Sequence, residues 1–309
     1  MHKDVQKTIK DIKNLKIQGA RNVAREAVRA LISEVKSSKT RSAAILYRDI
    51  VKAADALAAS RPTEPMMRNL LENACRFARN RKDEVKGADA LRKDIIKREE
   101  GILEGMKDDK RKLSEYGAKL IPNNALVITH CHSSSVTGIL IKAKRMRKKF
   151  SVISLETRPR YQGRLTATEL AENGIDVTTV VDGAMNMVMK KADIVLVGAD
   201  SISSRGDLIN KVGTSTLAHI ARMHDTSFYS CAELLKYSSE TIHGSREKIE
   251  ERDHKEVWEN PPKKVKISNP AFDVTSAKYI NGYVTEVGVL PTQSFFAIAT
   301  QKLGINIYR

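Results

Sequence analysis

The order of patterns along this 309-residue chain predicts an α/β protein in two parts, a helical domain over 1–117 and a parallel-sheet domain over 118–309. Up to about residue 115, apolar residues recur at helical spacing. After IPNNA, short β-branched runs take turns with helical segments. Strand and helix in strict alternation call for right-handed crossovers and a parallel sheet, hence a Rossmann-like second domain.

In the first part, ARNVAREAVRALISEV and SAAILYRDIVKAADALAAS both carry the helical stripe, and the second stops at Arg61-Pro62. MMRNLLENACRFARN is a third helix, with Cys75 on its apolar face as a core filler. From Lys82 to about Tyr116 the chain is charged and nearly free of Gly and Pro, as in an exposed connecting helix. In the second part the strands are ALVITH, SVISLE, DVTTVV, DIVLVG and SFYSC. The helices between them fall around TGILIKAKRMRKK, TATELAENG, MNMVMKKA and STLAHIARMH. Residues 238–268 are polar, carry Pro261-Pro262 and read as an excursion, a lid or an oligomer contact, before NPAFDVT and a final strand near VTEVGVL.

Composition narrows the function. No run of about eighteen apolar residues is present to cross a membrane, and the charged start MHKDVQKTIKDIKN is not signal-like, so a soluble, cytoplasmic protein is expected. Three scattered cysteines without CxxC spacing indicate neither a zinc site nor a disulfide framework. The net charge of +17 admits nucleic acid, and KAKRMRKK (142–149) invites that reading. That run directly follows the apolar VTGILI, however, and aromatics are only 5%, so a solvated helix face is favoured over a stacking platform. Excess positive charge also attracts anionic small substrates such as sugar phosphates.

Chemistry concentrates where strands end. Cys131 closes VITHC, and the HSSSVTG that follows supplies N–H groups at a helix start, an anion-binding arrangement that lowers a thiol pKa. His130 and His132 flank it; either one tunes the thiol or is a hydrogen-bonded bystander. Asp200 ends DIVLVGAD behind Gly198 and Ala199, which permit close approach; an N-cap for the next element is the plainer role. Asn210 and Lys211 stand beside Gly213 in what reads as a loop, and Lys236 follows the fifth strand. A thiol and a carboxyl from different strands at one sheet edge suit proton transfer on a small polar substrate.

VITHCHSSS, ETRPRYQGRLTATEL, VVDGAM, VGADSI, INKVGTS and NPAFDVT together resemble the superfamily that joins ribose-1,5-bisphosphate isomerases, methylthioribose-1-phosphate isomerases and the regulatory subunits of the translation-initiation exchange factor. The resemblance covers nearly the whole chain and is greatest to the archaeal ribose-1,5-bisphosphate isomerases, through RPRYQG (158–163) and LLKYS (234–238). It implies that Cys131 and Asp200 are the catalytic pair, which the regulatory subunits generally lack. Gly19, Ala20, Arg21 and Arg61 are implied as one set of phosphate contacts, and Ser133, Ser134, Asn210, Lys211 and Lys236 as the others. Arg61 also suits a helix-end cap beside Pro62, Lys236 plain solvation, and Arg158 and Arg160 either substrate or acidic partners. Gln18 stands where the enzymes carry arginine before the Gly-Ala pair, with Arg21 three residues on as a replacement charge, and His132 stands where asparagine is frequent.

The implied reaction converts ribose 1,5-bisphosphate to ribulose 1,5-bisphosphate in AMP and nucleoside salvage. Asp200 serves as acid on the ring oxygen and Cys131 as base at C2, with the carboxyl pKa raised by burial and the thiol pKa lowered by cations and a helix start. No cofactor or metal is called for. AMP is a candidate activator, and a homo-oligomer, dimer or hexamer, is implied. Against these stand a methylthioribose-phosphate isomerase, disfavoured by IQGARNVA in place of an RGAPAI-like segment, and a non-catalytic regulatory protein.

Overall fold

The computed structural model describes residues 1–305 and divides into two compact units, Met1–Asp108 and Asp109–Arg309. The first holds α1 (Lys3–Lys13), α2 (Ala20–Ser37), α3 (Ala43–Ala58) and α4 (Pro65–Arg81). The division falls inside α5 (Ala88–Leu120), which begins after the turn at Gly87 rather than at Lys82. Ser42 caps α3 by accepting the Ile45 N–H, and Pro65 takes the first turn of α4, where its missing N–H costs nothing. Val23, Ala27, Leu31, Leu46, Ile50, Leu57, Met66, Met67 and Leu71 are buried, the inward stripe that the helical spacing marks out. Arg92 secures the end of α2, donating to the carbonyls of Val35 (3.1 Å), Ser38 (2.8 Å) and Thr40 (3.2 Å).

The second unit is a doubly wound sheet. Its elements are β1 (Ala125–Thr129), α6 (Ser134–Arg145), β2 (Phe150–Leu155), α7 (Gln162–Glu172), β3 (Asp176–Val180), α8 (Met185–Met189) and β4 (Ile194–Val197). Then come β5 (Ser201–Ile202), β6 (Leu208–Lys211), α9 (Thr214–Met223), β7 (Ser227–Cys231), β8 (Phe272–Thr275), β9 (Gly282–Thr285), β10 (Gly288–Leu290) and α10 (Thr292–Leu303). Seven strands lie in the order β10-β9-β7-β4-β1-β2-β3, all parallel except β10, which turns back on β9. The last expected strand is thus a hairpin.

A second sheet, β5-β6-β8, is antiparallel throughout. It corrects the loop expected around Asn210 and Lys211, since both belong to β6 and pair with Asp273 and Phe272 of β8. The central strands β1 and β4 are buried almost end to end, as parallel strands covered on both faces must be. The basic run 142–149, which closes α6, is partly structural: Lys148 Nζ donates to the carbonyls of Lys119 and Ile121 at the end of α5, and Lys142 pairs with Glu115 at 3.4 Å. Residues 238–268 hold two short 3₁₀ turns, Ser239–His243 and His254–Glu256, and no strand or α-helix. Among the described residues no helix is long and apolar enough to cross a membrane.

Candidate active site

The sheet order reverses between β1 and β4, with β2 and β3 on one side and β7 and β9 on the other. At such a switch point the crossovers leave for opposite faces and a crevice opens beyond the carboxyl ends of the two strands. Cys131 follows the end of β1, and Asp200 follows the end of β4. The two tips approach closely. A Cβ on Gly198 would lie 2.8 Å from both Cβ and Oγ of Ser133, so only glycine lets the β4 tip rest against the start of α6. Ser133 is the α6 N-cap, accepting the Val136 N–H at 3.5 Å, and Ser134 opens the helix. The cap reading of Asp200 does not hold, because the element after it is the strand β5; its N–H donates to the carbonyl of Ile209 at 3.0 Å.

Cys131 adopts a left-handed backbone, φ 67°, as does Thr157 (φ 64°) beyond β2. Such conformations cost a non-glycine residue roughly 1 kcal/mol and persist where surrounding contacts impose them. Here the contacts are visible. The Cys131 N–H donates to Thr157 Oγ1 (2.8 Å), the Thr166 hydroxyl donates to the Cys131 carbonyl (2.9 Å), and Asp182 accepts the N–H groups of Thr157 (2.9 Å) and Arg158 (2.7 Å). The His132 ring is engaged with Thr166 (3.1 Å) and lies 4.0 Å from Glu169, while its backbone N–H faces the sulfur.

The thiol corrects one expectation. Burial pushes Cys131 up to about 11 and the Asp200 charge adds to the rise; Lys211 and the His132 N–H pull the other way without offsetting it. Near neutral pH Cys131 is therefore held mainly as the thiol. Cys75 is likewise raised by burial to about 11.

Lys211 is buried, with Nζ 5.2 Å from the centre of the Phe272 ring. Asn210 donates to Thr214 Oγ1 at 3.0 Å, and Lys236, also buried, bonds through Nζ to the carbonyl of Ala199 beside Asp200. Cys131, Ser133, Ser134, Asp200 and Lys236 thus follow the carboxyl ends of β1, β4 and β7, and Lys211 closes β6 with its charge acting on the Cys131 thiol, while Asn210 stays within β6. Among the described residues no group of three or more His, Cys, Asp or Glu is arranged to hold a metal ion.

In the first unit, Gly19 is the N-cap of α2 with φ 78°, where an added Cβ would meet nothing within 4 Å, while Ala20 is buried. Arg21 donates to the Met106 carbonyl and Gln18 to that of Leu15 (2.6 Å). Arg61 pairs with the buried Glu64 at 3.3 Å, three residues on, which makes it part of the α3–α4 turn. Of the two arginines in RPRYQG, Arg160 binds Glu256 (3.0 Å) and Arg158 binds Tyr161 Oη and the Val257 carbonyl (3.2 Å), so both meet the 238–268 excursion or their own loop.

Four supporting residues carry no local signal in the sequence. Asp182 and Thr157 hold the Cys131 turn. Asp273 accepts the N–H groups of Gly213 (2.7 Å) and Ser215 (3.0 Å) at the start of α9. Glu286 accepts the Leu234 N–H (3.1 Å) beneath the Lys236 turn and pairs with Lys302 at 2.6 Å. The first three lie inside the quoted motifs ETRPRYQG, VVDGAM and NPAFDVT, but nothing in hydrophobic periodicity marks them.

The model of the initiation factor 2 subunit family matches residues 16–292. The chain belongs to this family. A ribose 1,5-bisphosphate isomerase of Archaeoglobus fulgidus is 35% identical over 303 residues, spanning 97% of this chain and 94% of that protein. A methylthioribose-1-phosphate isomerase of Pelotomaculum thermopropionicum is 32% identical, over 90% of this chain and 80% of that one. Among solved structures, the translation initiation factor eIF-2B of Pyrococcus horikoshii superposes with a TM-score of 0.80 at 28% identity, covering 94% of this chain and 98% of the other. Family membership thus spans enzymes and initiation factors, and the switch-point chemistry has to choose between them.

Proposed function

We infer that this chain is a sugar-phosphate isomerase acting on ribose 1,5-bisphosphate. The observation that carries the reading is the pairing of Cys131 and Asp200 at the tips of neighbouring strands, with the buried cations Lys211 and Lys236 beside them. The near-full-length relatives named ribose 1,5-bisphosphate isomerase support the substrate.

The anomeric oxygen of the substrate is phosphorylated, so the ring cannot open as a free aldose does. Asp200 delivers a proton to the ring oxygen as the C1–O bond breaks, and Cys131 removes the proton from C2. Return of a proton to C1 and loss of the one on the C2 hydroxyl leave the ketone of ribulose 1,5-bisphosphate. The sum is an isomerisation, with no redox partner consumed. Ser133 and Ser134 offer N–H groups at the α6 start to one phosphate, with Lys211 and Lys236 as cations and Asn210 as a polar contact. Gly19, Ala20, Arg21 and Arg61 rest on the family resemblance alone. A cytoplasmic homo-oligomer working in nucleotide salvage completes the reading.

The test is conversion of ribose 1,5-bisphosphate followed by phosphorus and proton NMR, with AMP added and omitted. Each proton transfer is worth about 10²–10⁴-fold, so Cys131→Ser and Asp200→Asn, both folded, lose at least two orders of magnitude in turnover. Wild-type turnover in either variant removes that residue from its role. A second reading, on methylthioribose 1-phosphate, is favoured by the 32% identity to enzymes of that name. Preferential turnover of that sugar by the same protein replaces the first. Turnover of neither sugar leaves the initiation-factor reading.

A further inference from the structure

His130 is a buried, titratable group that the proposed reaction does not use. It lies at the centre of three loops. Its Nε2 is 2.9 Å from the carbonyl oxygen of Val212, which only accepts, so Nε2 carries the proton. Burial, the largest influence on it, favours the neutral ring over the opposing pull of the Val212 carbonyl and the Asp182 charge, and Lys211 adds to burial. Nδ1 is then a bare lone pair, 3.3 Å from Thr157 Oγ1. The Thr157 hydroxyl divides its one proton between that lone pair and the Leu155 carbonyl (3.1 Å), and its oxygen accepts the Cys131 N–H.

The far end of this chain of bonds is equally fixed. The peptide whose carbonyl meets His130 is Val212–Gly213, and its N–H donates to Asp273 Oδ2 at 2.7 Å. One peptide plane is therefore held from both sides, by a histidine and by a carboxylate. It directly follows Lys211, the cation that acts most strongly on the Cys131 thiol. The fit leaves little slack, since a Cβ on Gly213 would lie 3.1 Å from His130 Nε2, and Gly213 has φ 102°.

We propose that His130 is a positioning residue, a neutral imidazole that sets Lys211 at a fixed distance from the Cys131 sulfur by tying Val212 to the Thr157–Cys131 turn. It touches no substrate atom. The proposal deepens the reading of Cys131 and Lys211 as parts of one site, but its test needs no sugar substrate.

The experiment is the rate of iodoacetamide alkylation of Cys131 in the intact chain at about pH 9, followed by mass spectrometry of the Cys131 peptide. For each unit by which the thiol pKa rises, the thiolate fraction falls tenfold while nucleophilicity recovers roughly threefold, so alkylation slows by about threefold. Lys211→Met slows it by withdrawing the cation. His130→Phe, which keeps a ring but not the donor, slows it in the same direction with Lys211 present and has no further effect in a K211M background. His130→Gln, whose amide reaches the Val212 carbonyl, restores the wild-type rate; His130→Asn, which is too short to reach it, does not. Near-UV circular dichroism verifies that each variant is folded, and if His130→Phe is not, the Gln and Asn pair carries the comparison. A wild-type rate in His130→Phe, equal slowing with and without Lys211, or equal rates in the Gln and Asn variants overturns the proposal. Isomerase activity enters none of these outcomes, so failure of the positioning role is distinguishable from failure of the functional reading.

Discussion

Asp273 provides a quantitative test of how the Lys211 turn is held. Its carboxylate accepts two N–H donors at the start of α9, yet burial outweighs them and raises it from 3.8 to about 6, with His219 and Lys211 lowering it only in part. A carboxyl raised on folding destabilises the native state once it ionises: between the two values the unfolded chain has lost the proton and the native chain keeps it, so stability falls as pH rises. The full loss is about 3 kcal/mol at 1.36 kcal/mol per unit. Integrated between about pH 4.5 and 7, it is roughly 2 kcal/mol. Asp273→Asn removes the titration and keeps an oxygen acceptor. Urea unfolding of both proteins across that range should show the wild type losing about 2 kcal/mol relative to the variant as pH rises. A wild-type-minus-variant difference that stays constant to within about 0.5 kcal/mol means that the buried carboxylate is compensated as fully as in water, and the assignment of its cause is wrong.

Two further outcomes follow from the geometry. With its thiol near 11, Cys131 should show an alkylation rate that climbs about tenfold per pH unit up to pH 10; a plateau below pH 9 would mean that the N–H groups and Lys211 outweigh burial. Gly198→Ala drives a methyl into Ser133, and overpacking of this kind costs about 1–3 kcal/mol in urea unfolding. A neutral result there means that the two strand tips do not meet as described.

The parallel sheet was legible because β1, β2 and β4 are short, largely buried runs rich in β-branched residues, set between helical segments. The second sheet was not. Leu208–Lys211 mixes apolar and polar residues in four positions, and its partner Phe272–Thr275 lies some 60 residues away, so no local pattern announces the pairing. The hairpin of β9 and β10 read as one strand because its turn, Glu286-Val287, has none of the usual turn residues before Gly288. The positions of Cys131 and Asp200 just beyond β1 and β4 were legible because a strand end followed by small or polar residues is a local signature. The supports were not. Thr157, Asp182 and Asp273 act through backbone N–H groups of other segments, and only folding brings those donors to them.

The raised thiol bears on how the proposed pair works. The acid must hold a proton while the base holds none, so a pair carrying one proton between them is competent in one of its two arrangements. The Asp200 charge is among the influences raising Cys131, so the carboxylate acts on the sulfur through its charge. Asp200→Asn then separates reactivity from catalysis. Removing the charge lowers the thiol pKa, and alkylation of Cys131 accelerates by about threefold for each unit of the fall. Turnover, deprived of its acid, moves in the opposite direction by about 10²-fold or more. If alkylation and turnover both decline in D200N, Asp200 acts on the sulfur by holding the β4 tip in place rather than by its charge, and the pair is not a shared-proton device.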